Sequence, residues 1–377
     1  MGCCSEETFM SAISRREFLF AASAAALSSS LPRTANAQYE SFNPQPGTWR
    51  TFELTTTIQI LNPKGVTRVW VPVPSIQSDY QRSMAGTFAG NGKSTKSLVE
   101  DKYGSRLIFS EFDPNEATPT LEVVSTIQAQ NRAVDWNKKI KPDVDPAELR
   151  RWILPTERMP TDGIVLKTAT DATKGATNDV EQVRALYDWV VRNTYREPKV
   201  RGCGTGDIKT MLETGNLGGK CGDINALFVG LCRSLAIPAR DVYGIRLVPS
   251  AFGYRELSGN PAKLQGAQHC RAEVFLRDYG WTAMDPADVG KVMRLETPEW
   301  IKDPNKPVAA PVYKALFGGW EGNWLGYNMA HDVVLPRAVG PSLAFFMYPQ
   351  AENDHGRLDS LDPDNFKYTI TAREIKA

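Results

Sequence analysis

From Thr51 to about Ala133 the inward-type positions recur at every second residue: Phe52, Leu54, Thr56, Ile58 and Ile60, then Val69, Val71 and Val73, then Leu107 and Phe109, then Leu121, Val123, Ser125 and Ile127. A period of two sets such residues on one face of a strand, and the Gly, Asn and Pro clusters between the runs supply the turns. The stretch predicts a β-sandwich-like region. It holds no cluster of titratable side chains, so it reads as a structural or substrate-orienting module.

From about Pro146 the period lengthens. Asn178, with Glu181 three residues on, has the form of a capping box ahead of a helix whose apolar positions are Val180, Val183, Tyr187, Val190 and Val191, ending near Asn193. A second helix is expected after Cys221, where Ile224, Phe228, Leu231 and Leu235 fall at helical spacing and Pro238 stops the run. Asp241 to Val248 and His269 to Leu276 read as strands. Arg277-Asp278-Tyr279-Gly280 turns the chain, Trp281 to Met284 returns, and a last strand is expected at Phe366 to Thr371. Helices followed by strands predict an α+β core, helices packed on an antiparallel sheet.

The segment "GGKCGDINALF", residues 218–228, therefore places a thiol at a helix N-terminus. The helix dipole favours the thiolate by about 0.3–1 kcal/mol, occasionally ~2, while one pKa unit is about 1.36 kcal/mol. From an ordinary value of about 8.5, the helix alone does not ionise the thiol at neutral pH. A cationic partner is needed, and histidine is the usual one. The chain has three histidines. In "QHCRAEVFL" the alternation sets His269, Arg271, Glu273 and Phe275 on one face and the apolar Cys270, Ala272, Val274 and Leu276 on the other. His269 is thus expected to project away from the packed side, with Cys270 in the core. His331, in a short apolar stretch, and His355, in a polar loop, are the rivals.

A catalytic imidazole needs an orienting acceptor. A five-residue loop from Leu276 to Gly280 sets Asp285 opposite Arg271 and diagonal to His269, about 7–8 Å apart at the backbone. The alternative is that Asp285, directly before Pro286, only shapes a turn; Asp288 is then the next acceptor.

Composition narrows the classes. With 42% hydrophobic and 23% charged residues and a net charge of +1 over 377 residues, the chain is of globular type, and nothing in it favours nucleic acid. Ser14-Arg15-Arg16-Glu17-Phe18-Leu19, an apolar stretch to Leu27 and Ala35-Asn36-Ala37 have the form of a twin-arginine export signal. Beyond it lie four cysteines, Cys203, Cys221, Cys232 and Cys270, too few for a disulfide-built scaffold. "GNLGGKC" is not a phosphate loop, because Gly215 to Gly219 leaves too few residues and Cys221 stands where a hydroxyl is needed. The cysteines and histidines lack the paired short spacings of a zinc site, and "RLDSLDPDNF" lacks the glycine and terminal Glu of a calcium loop. No cofactor and no metal are expected.

"LETGNLGGKCGDINALFVGLCRSLAIPAR", followed by "QHCRAEVFL" and "YGWTAMDPADV", resembles the transglutaminase-like superfamily over about residues 160 to 290. The resemblance implies a papain-like core with Cys221 as nucleophile, His269 as general base and acid, and Asp285 as the orienting group. Two departures stand out. Leu235-Ala236-Ile237-Pro238-Ala239-Arg240 has Ala where the pattern has Gly, and Arg271 stands where many members carry an aromatic. Trp189 and Tyr195 are the candidates for the aromatic that completes the oxyanion hole in animal transglutaminases. The backbone N–H of Cys221 is expected to serve the oxyanion itself. Gly219, Lys220, Gly222 and Tyr195 are the expected substrate contacts, with Gly218, Gly219 and Gly222 holding the approach to Cys221 open. The alternative for Lys220 and Asp223 is a solvated pair at the helix start.

The expected layout is an export signal at 1–37, a β-rich domain at 38–140, a cysteine catalytic domain at 145–300, and an extension at 301–377 whose packing on the core the sequence leaves open. The expected protein is an exported, periplasmic or secreted enzyme that acts on carboxamide or peptide bonds through a thioester. Its acceptor is an amine or water, and its substrates are peptides or proteins of the cell envelope, peptidoglycan stem peptides being one case. No nucleic acid partner and no membrane span in the mature chain are expected. The alternative is a non-catalytic envelope binding or assembly protein that keeps the fold.

Overall fold

A computed structural model describes residues 42–375; the export signal read at residues 1–37 lies outside the described residues. The strand Arg50–Ile60 buries Phe52, Leu54, Thr56, Ile58 and Ile60, and the residues between them stay at least partly exposed. Its neighbour Thr120–Ala129 buries Leu121, Val123, Ser125 and Ile127 in the same rhythm. Gln81–Gly90 and Phe366–Ile375 complete this antiparallel sheet at its two edges.

A second sheet runs in the order Gly356–Leu358, Gln350–Asn353, Thr67–Pro72, Arg106–Phe112, Ser94–Val99. Ile58, Val69, Ile108, Phe112, Val123 and Phe366 fill the space between the two sheets, which makes the pair a sandwich. The edge strands Gln81–Gly90 and Ser94–Val99 have mostly exposed or half-exposed side chains.

The other half is built on a four-stranded antiparallel sheet in the order Gly280–Met284, Gln268–Leu276, Ala239–Arg246, Trp324–Asn328. The helix Cys221–Ser234 packs on this sheet and touches the helices Gly163–Ala172, Asp179–Asn193 and Pro286–Leu295. It is buried at every position through Arg233, which explains why its sequence is apolar nearly all round. The architecture is the α+β arrangement expected from the sequence. One continuous apolar core joins the halves, running from Phe52, Leu54 and Ile127 to Val183, Phe228 and Trp324.

Residues 301–375 thread through all of this. Trp324–Asn328 closes one edge of the four-stranded sheet, while Gln350–Asn353, Gly356–Leu358 and Phe366–Ile375 belong to the sandwich. Among the described residues no helix is long and apolar enough to cross a membrane.

Local signals are met with one adjustment. Asn178 Oδ1 accepts the Glu181 N–H at 3.0 Å, but the Glu181 carboxylate takes the N–H of Thr177 at 2.7 Å, one residue before the position a capping box uses. The Cys221 helix ends at Ser234, and Ala236 lies in the left-handed region at φ 57° before Pro238 directs the chain into the next strand.

Candidate active site

The strand carrying His269 pairs with its return strand from Leu276↔Gly280 to Ala272↔Met284. One further step of that register puts Asp285 opposite Arg271 and diagonal to His269, as the loop length predicts. His269 Nε2 donates to Asp285 Oδ2 at 2.7 Å and lies 3.3 Å from Asp288 Oδ2. Asp285 also shapes the turn: its Oδ1 accepts the Asp288 N–H at 3.0 Å and caps the helix Pro286–Leu295. Both carboxylates therefore face the imidazole. Arg246 Nη2 grips Asp288 Oδ1 at 2.5 Å.

A residue the sequence reading did not single out locks this arrangement to the Cys221 helix. Asn225 Nδ2 donates to the Cys270 carbonyl at 2.9 Å and to Asp285 Oδ1 at 3.2 Å, and Asn225 Oδ1 accepts the Ala287 N–H at 3.2 Å. It lies four residues after Cys221, on the same helix face. An amide within a buried, largely apolar helix is the signal that could have found it.

The electrostatics follow from these contacts. Burial works against a charged His269, but Asp288 and Asp285 outweigh it and push its pKa up to about 10. With Nε2 turned to the carboxylates, Nδ1 is the nitrogen left for the thiol. Cys221 is held well below the usual thiol range, first by the neighbouring Cys203 and Cys270 thiols, then, against burial, by His269. The Cys203 and Cys270 thiols are themselves pushed well up, Cys203 chiefly by its hydrogen bond to Cys221 and Cys270 chiefly by burial. They thus stay protonated, and the Cys203 thiol donates to the Gln268 carbonyl at 3.4 Å. Burial opposes ionisation of Asp288, yet Arg246 and His269 keep it well below the carboxylate range. Burial and the charge of Asp288 push Asp285 up.

Cys270 thus has a second part beyond the core position expected of it, and Cys203 joins the site. The Cys203 carbonyl accepts the Gly222 N–H at 2.8 Å, and Tyr348 Oη donates to its sulfur at 3.0 Å. Cys203, Cys221, Cys232 and Cys270 are all free and buried.

The face of the His269 strand expected to point outward is covered instead: all nine residues of Gln268–Leu276 are buried. Glu273 pairs with Arg132 and Arg240. Arg271 donates to the Glu321 carbonyl at 2.9 Å, lies against Trp324 and Trp320, and sits 3.7 Å from Asp285 Oδ2. The aromatic wall missing at position 271 is thus supplied from 320–324, with a guanidinium between it and the carboxylate.

The remaining expected residues are placed as follows. Asp223 is buried, not part of a solvated pair. Its carboxylate accepts the N–H groups of Thr205, Gly206 and Lys220 at 2.8, 3.0 and 2.9 Å, tying the Cys203 loop to the helix start. Lys220 is half-buried beside it. A Cβ added at Gly218 would lie 2.5 Å from the Tyr195 ring, at Gly219 2.6 Å from Asp223 Cβ, and at Gly222 2.6 Å from the Cys203 carbonyl oxygen. The space beside these glycines is filled by the chain itself, so close internal packing, not an open approach, requires them. Tyr195 pairs with Gly218 and packs on Trp300, while Trp189 packs on the core. His331 is buried against Tyr243 and Asp241, and His355 is exposed; neither meets Cys221.

A cavity of about 310 Å³ opens on Cys221 and His269, walled in part by Arg196, Asn260 and Lys263. A larger one of about 560 Å³, between Phe42, Trp136, Pro311 and Phe317, touches none of these residues. His269, Asp285 and Asp288 bring one ligand atom each within 4.8 Å. Those atoms already engage one another, and a metal ion there would compete with Arg246. The N–H of Cys221, first in its helix, has no intrahelical acceptor.

The family model of the transglutaminase-like superfamily matches residues 166–286. A Haemophilus influenzae protein described as uncharacterized is 34% identical over 343 residues, covering 86% of this chain and 91% of its own length. Among solved structures, a Cytophaga hutchinsonii protein provisionally described as a cysteine protease is 17% identical, with a TM-score of 0.49 over 87% of this chain and 99% of that one. The periplasmic domain of TgpA from Pseudomonas aeruginosa is 16% identical, with a TM-score of 0.33 over 70% and 93% of the two chains.

Proposed function

The chain belongs to the transglutaminase-like superfamily, and from that premise we propose that it is a cysteine acyl-transfer enzyme acting on carboxamide or peptide bonds. The observation that carries this reading is that Cys221 and His269 line one cavity while the imidazole is hydrogen-bonded to Asp285 at 2.7 Å. A nucleophile, a base and an orienting acceptor are the set such chemistry needs.

In the proposed reaction the Cys221 thiolate attacks the carbonyl carbon, and the negative charge moves to the carbonyl oxygen near the Cys221 N–H. The tetrahedral intermediate collapses as His269 gives its proton to the departing nitrogen, leaving a thioester and free ammonia or amine. His269, now neutral, takes a proton from the incoming amine or water as that group attacks the thioester. The second collapse returns the thiolate and the protonated imidazole. Asp285 and Asp288 keep the imidazolium charged and fix which ring nitrogen faces the sulfur.

The twin-arginine pattern at 14–19 and the small-residue site at 35–37 support export. Peptides or proteins of the cell envelope are then the reachable substrates. The β-rich region at 38–140 is read as a module that braces the catalytic region at 145–300.

The test is incubation of the mature protein with glutamine peptides, with and without a labelled primary amine, comparing wild type with Cys221→Ala. Amine incorporation lost in the variant identifies a transferase; ammonia release or cleavage without incorporation identifies a hydrolase. No turnover, together with alkylation of Cys221 no faster than that of an ordinary thiol, would falsify the reading in favour of a binding module.

A further inference from the structure

We propose that the cavity beside Cys221 selects an acyl donor carrying a carboxylate next to the reacting amide. The reaction itself rests on the acyl-transfer reading above; the selection rests on other residues. The cavity brings Arg196, Arg246, Lys263 and Lys291 to its walls, and no Asp or Glu among the described residues lines it.

Two of these cations are already paired. Arg246 holds Asp288 at 2.5 Å, and Lys291 donates to the Glu256 carbonyl at 2.6 Å with the Glu256 carboxylate at 3.4 Å. Arg196 and Lys263 form no ion pair among the described residues, and the buried Nε of Arg196 has no hydrogen-bond partner.

Arg196 is held firmly. Its backbone pairs with Gly219, two residues before Cys221, and the Glu197 N–H donates to the Gly219 carbonyl at 2.9 Å. Around it the cations oppose one another: Lys220 is pulled down by burial and by Arg196, and Lys291 by burial, Arg246 and Arg196. The cations on the cavity wall outnumber the single Cys221 thiolate that faces them, a local conflict of the kind folds keep at functional sites, and a further anion entering the cavity relieves it. A guanidinium with a free N–H suits a carboxylate.

The anion arrives attached to a peptide amide, so it is a carboxylate of the same peptide, on an acidic side chain adjacent to the reacting residue. The volume of about 310 Å³ is at the small end for ligand sites, about 300–1,000 Å³, and accommodates one or two side chains. The loop bearing Lys263 is fixed by the C-terminal strand: the Leu264 N–H donates to the Ile370 carbonyl at 2.9 Å and the Ala372 N–H to the Pro261 carbonyl at 2.8 Å.

The test uses matched glutamine hexapeptides with either Glu or Gln beside the reacting glutamine. Binding to Cys221→Ala is read by fluorescence polarisation at low and high salt, and turnover is read with the otherwise unaltered protein. The Glu peptide is expected to bind about tenfold tighter or more, an advantage that shrinks with salt. Arg196→Gln is expected to reduce that advantage, and Lys263→Glu, an exposed position, to abolish or invert it. Alkylation of Cys221 by neutral iodoacetamide in the Lys263→Glu protein verifies that the site is folded. Equal binding of the two peptides, no binding of either, or a preference untouched by both substitutions overturns the proposal. Preferential binding without turnover leaves it standing and sinks the acyl-transfer reading; turnover without preference does the reverse.

Discussion

At the residue scale, the helix dipole is the smaller influence on Cys221. It offers about 0.3–1 kcal/mol, less than one pKa unit, whereas the neighbouring thiols of Cys203 and Cys270 and the imidazole of His269 hold the Cys221 thiol well below its ordinary range. With the thiol held well below its ordinary range and His269 pushed up to about 10, both shifts favour the thiolate–imidazolium pair. The kcat/KM profile is therefore expected to be flat around neutrality and to fall on the alkaline side near pH 10. Asp285→Asn is expected to bring that alkaline limb down by about 1–3 units and to lower kcat by about 10²–10⁴-fold; an unmoved limb speaks against the assignment. The raised pKa of His269 also has a sign for stability. Its contribution is complete below pH 6.5 and fades as pH rises towards 10, which urea midpoints measured across that range in Cys221→Ala will read. Asp288→Ala leaves Arg246 charged, buried and without its carboxylate, at a cost of about 3–5 kcal/mol in urea unfolding. Cys221, His269 and Asp285 were legible because each follows from a local rule: helical spacing, strand alternation and the length of one hairpin loop. Cys203, Arg196 and Arg246 come to the site through pairings between distant segments, which no local pattern encodes.

At the element scale, alternation foretold the strands with one buried face and missed Gln81–Gly90 and Ser94–Val99. Those are edge strands with largely solvated faces, so their sequences carry no period. The same rule misjudged the His269 strand, whose polar face reads as exposed until Arg132, Trp320 and Trp324 are seen to cover it. Asn225 joins the Cys221 helix to both the His269 strand and the Asp288 helix. Asn225→Leu would leave three buried groups short of a partner, each worth about 1–3 kcal/mol. The expected result is a lower denaturation midpoint together with slower alkylation of Cys221; a change in neither contradicts its bridging part. The helix end carries its own test. Ala236 sits exposed at φ 57°, a conformation that costs an L-residue roughly 1–2 kcal/mol and that glycine adopts freely. Ala236→Gly, which restores the glycine of the resembled motif, is expected to raise stability by about 1 kcal/mol without altering turnover.

At the scale of the whole molecule, the C-terminal segment is the part the sequence left open. It closes the sandwich by pairing Phe366–Ile375 with Arg50–Ile60, and the same strand anchors the loop that brings Lys263 to the cavity. A pairing between segments this far apart has no local signature, so only the existence of the last strand was legible. Removing residues 362–377 deletes the buried Phe366 and Ile370 themselves, about 1.5–3 kcal/mol each, and frees that loop. The shortened chain is expected to unfold at lower urea and to lose acidic-peptide selectivity; unchanged selectivity would separate the strand from the site. The central claim, that this architecture exists to form a thioester, is read most directly by intact mass spectrometry of the protein quenched during reaction with a glutamine peptide at neutral pH. The expected spectrum carries an adduct on Cys221 equal to the peptide less ammonia, discharged by added amine or on standing in water and absent from Cys221→Ala. An unmodified protein at every quench time, with Cys221 titrating as an ordinary thiol, would contradict it.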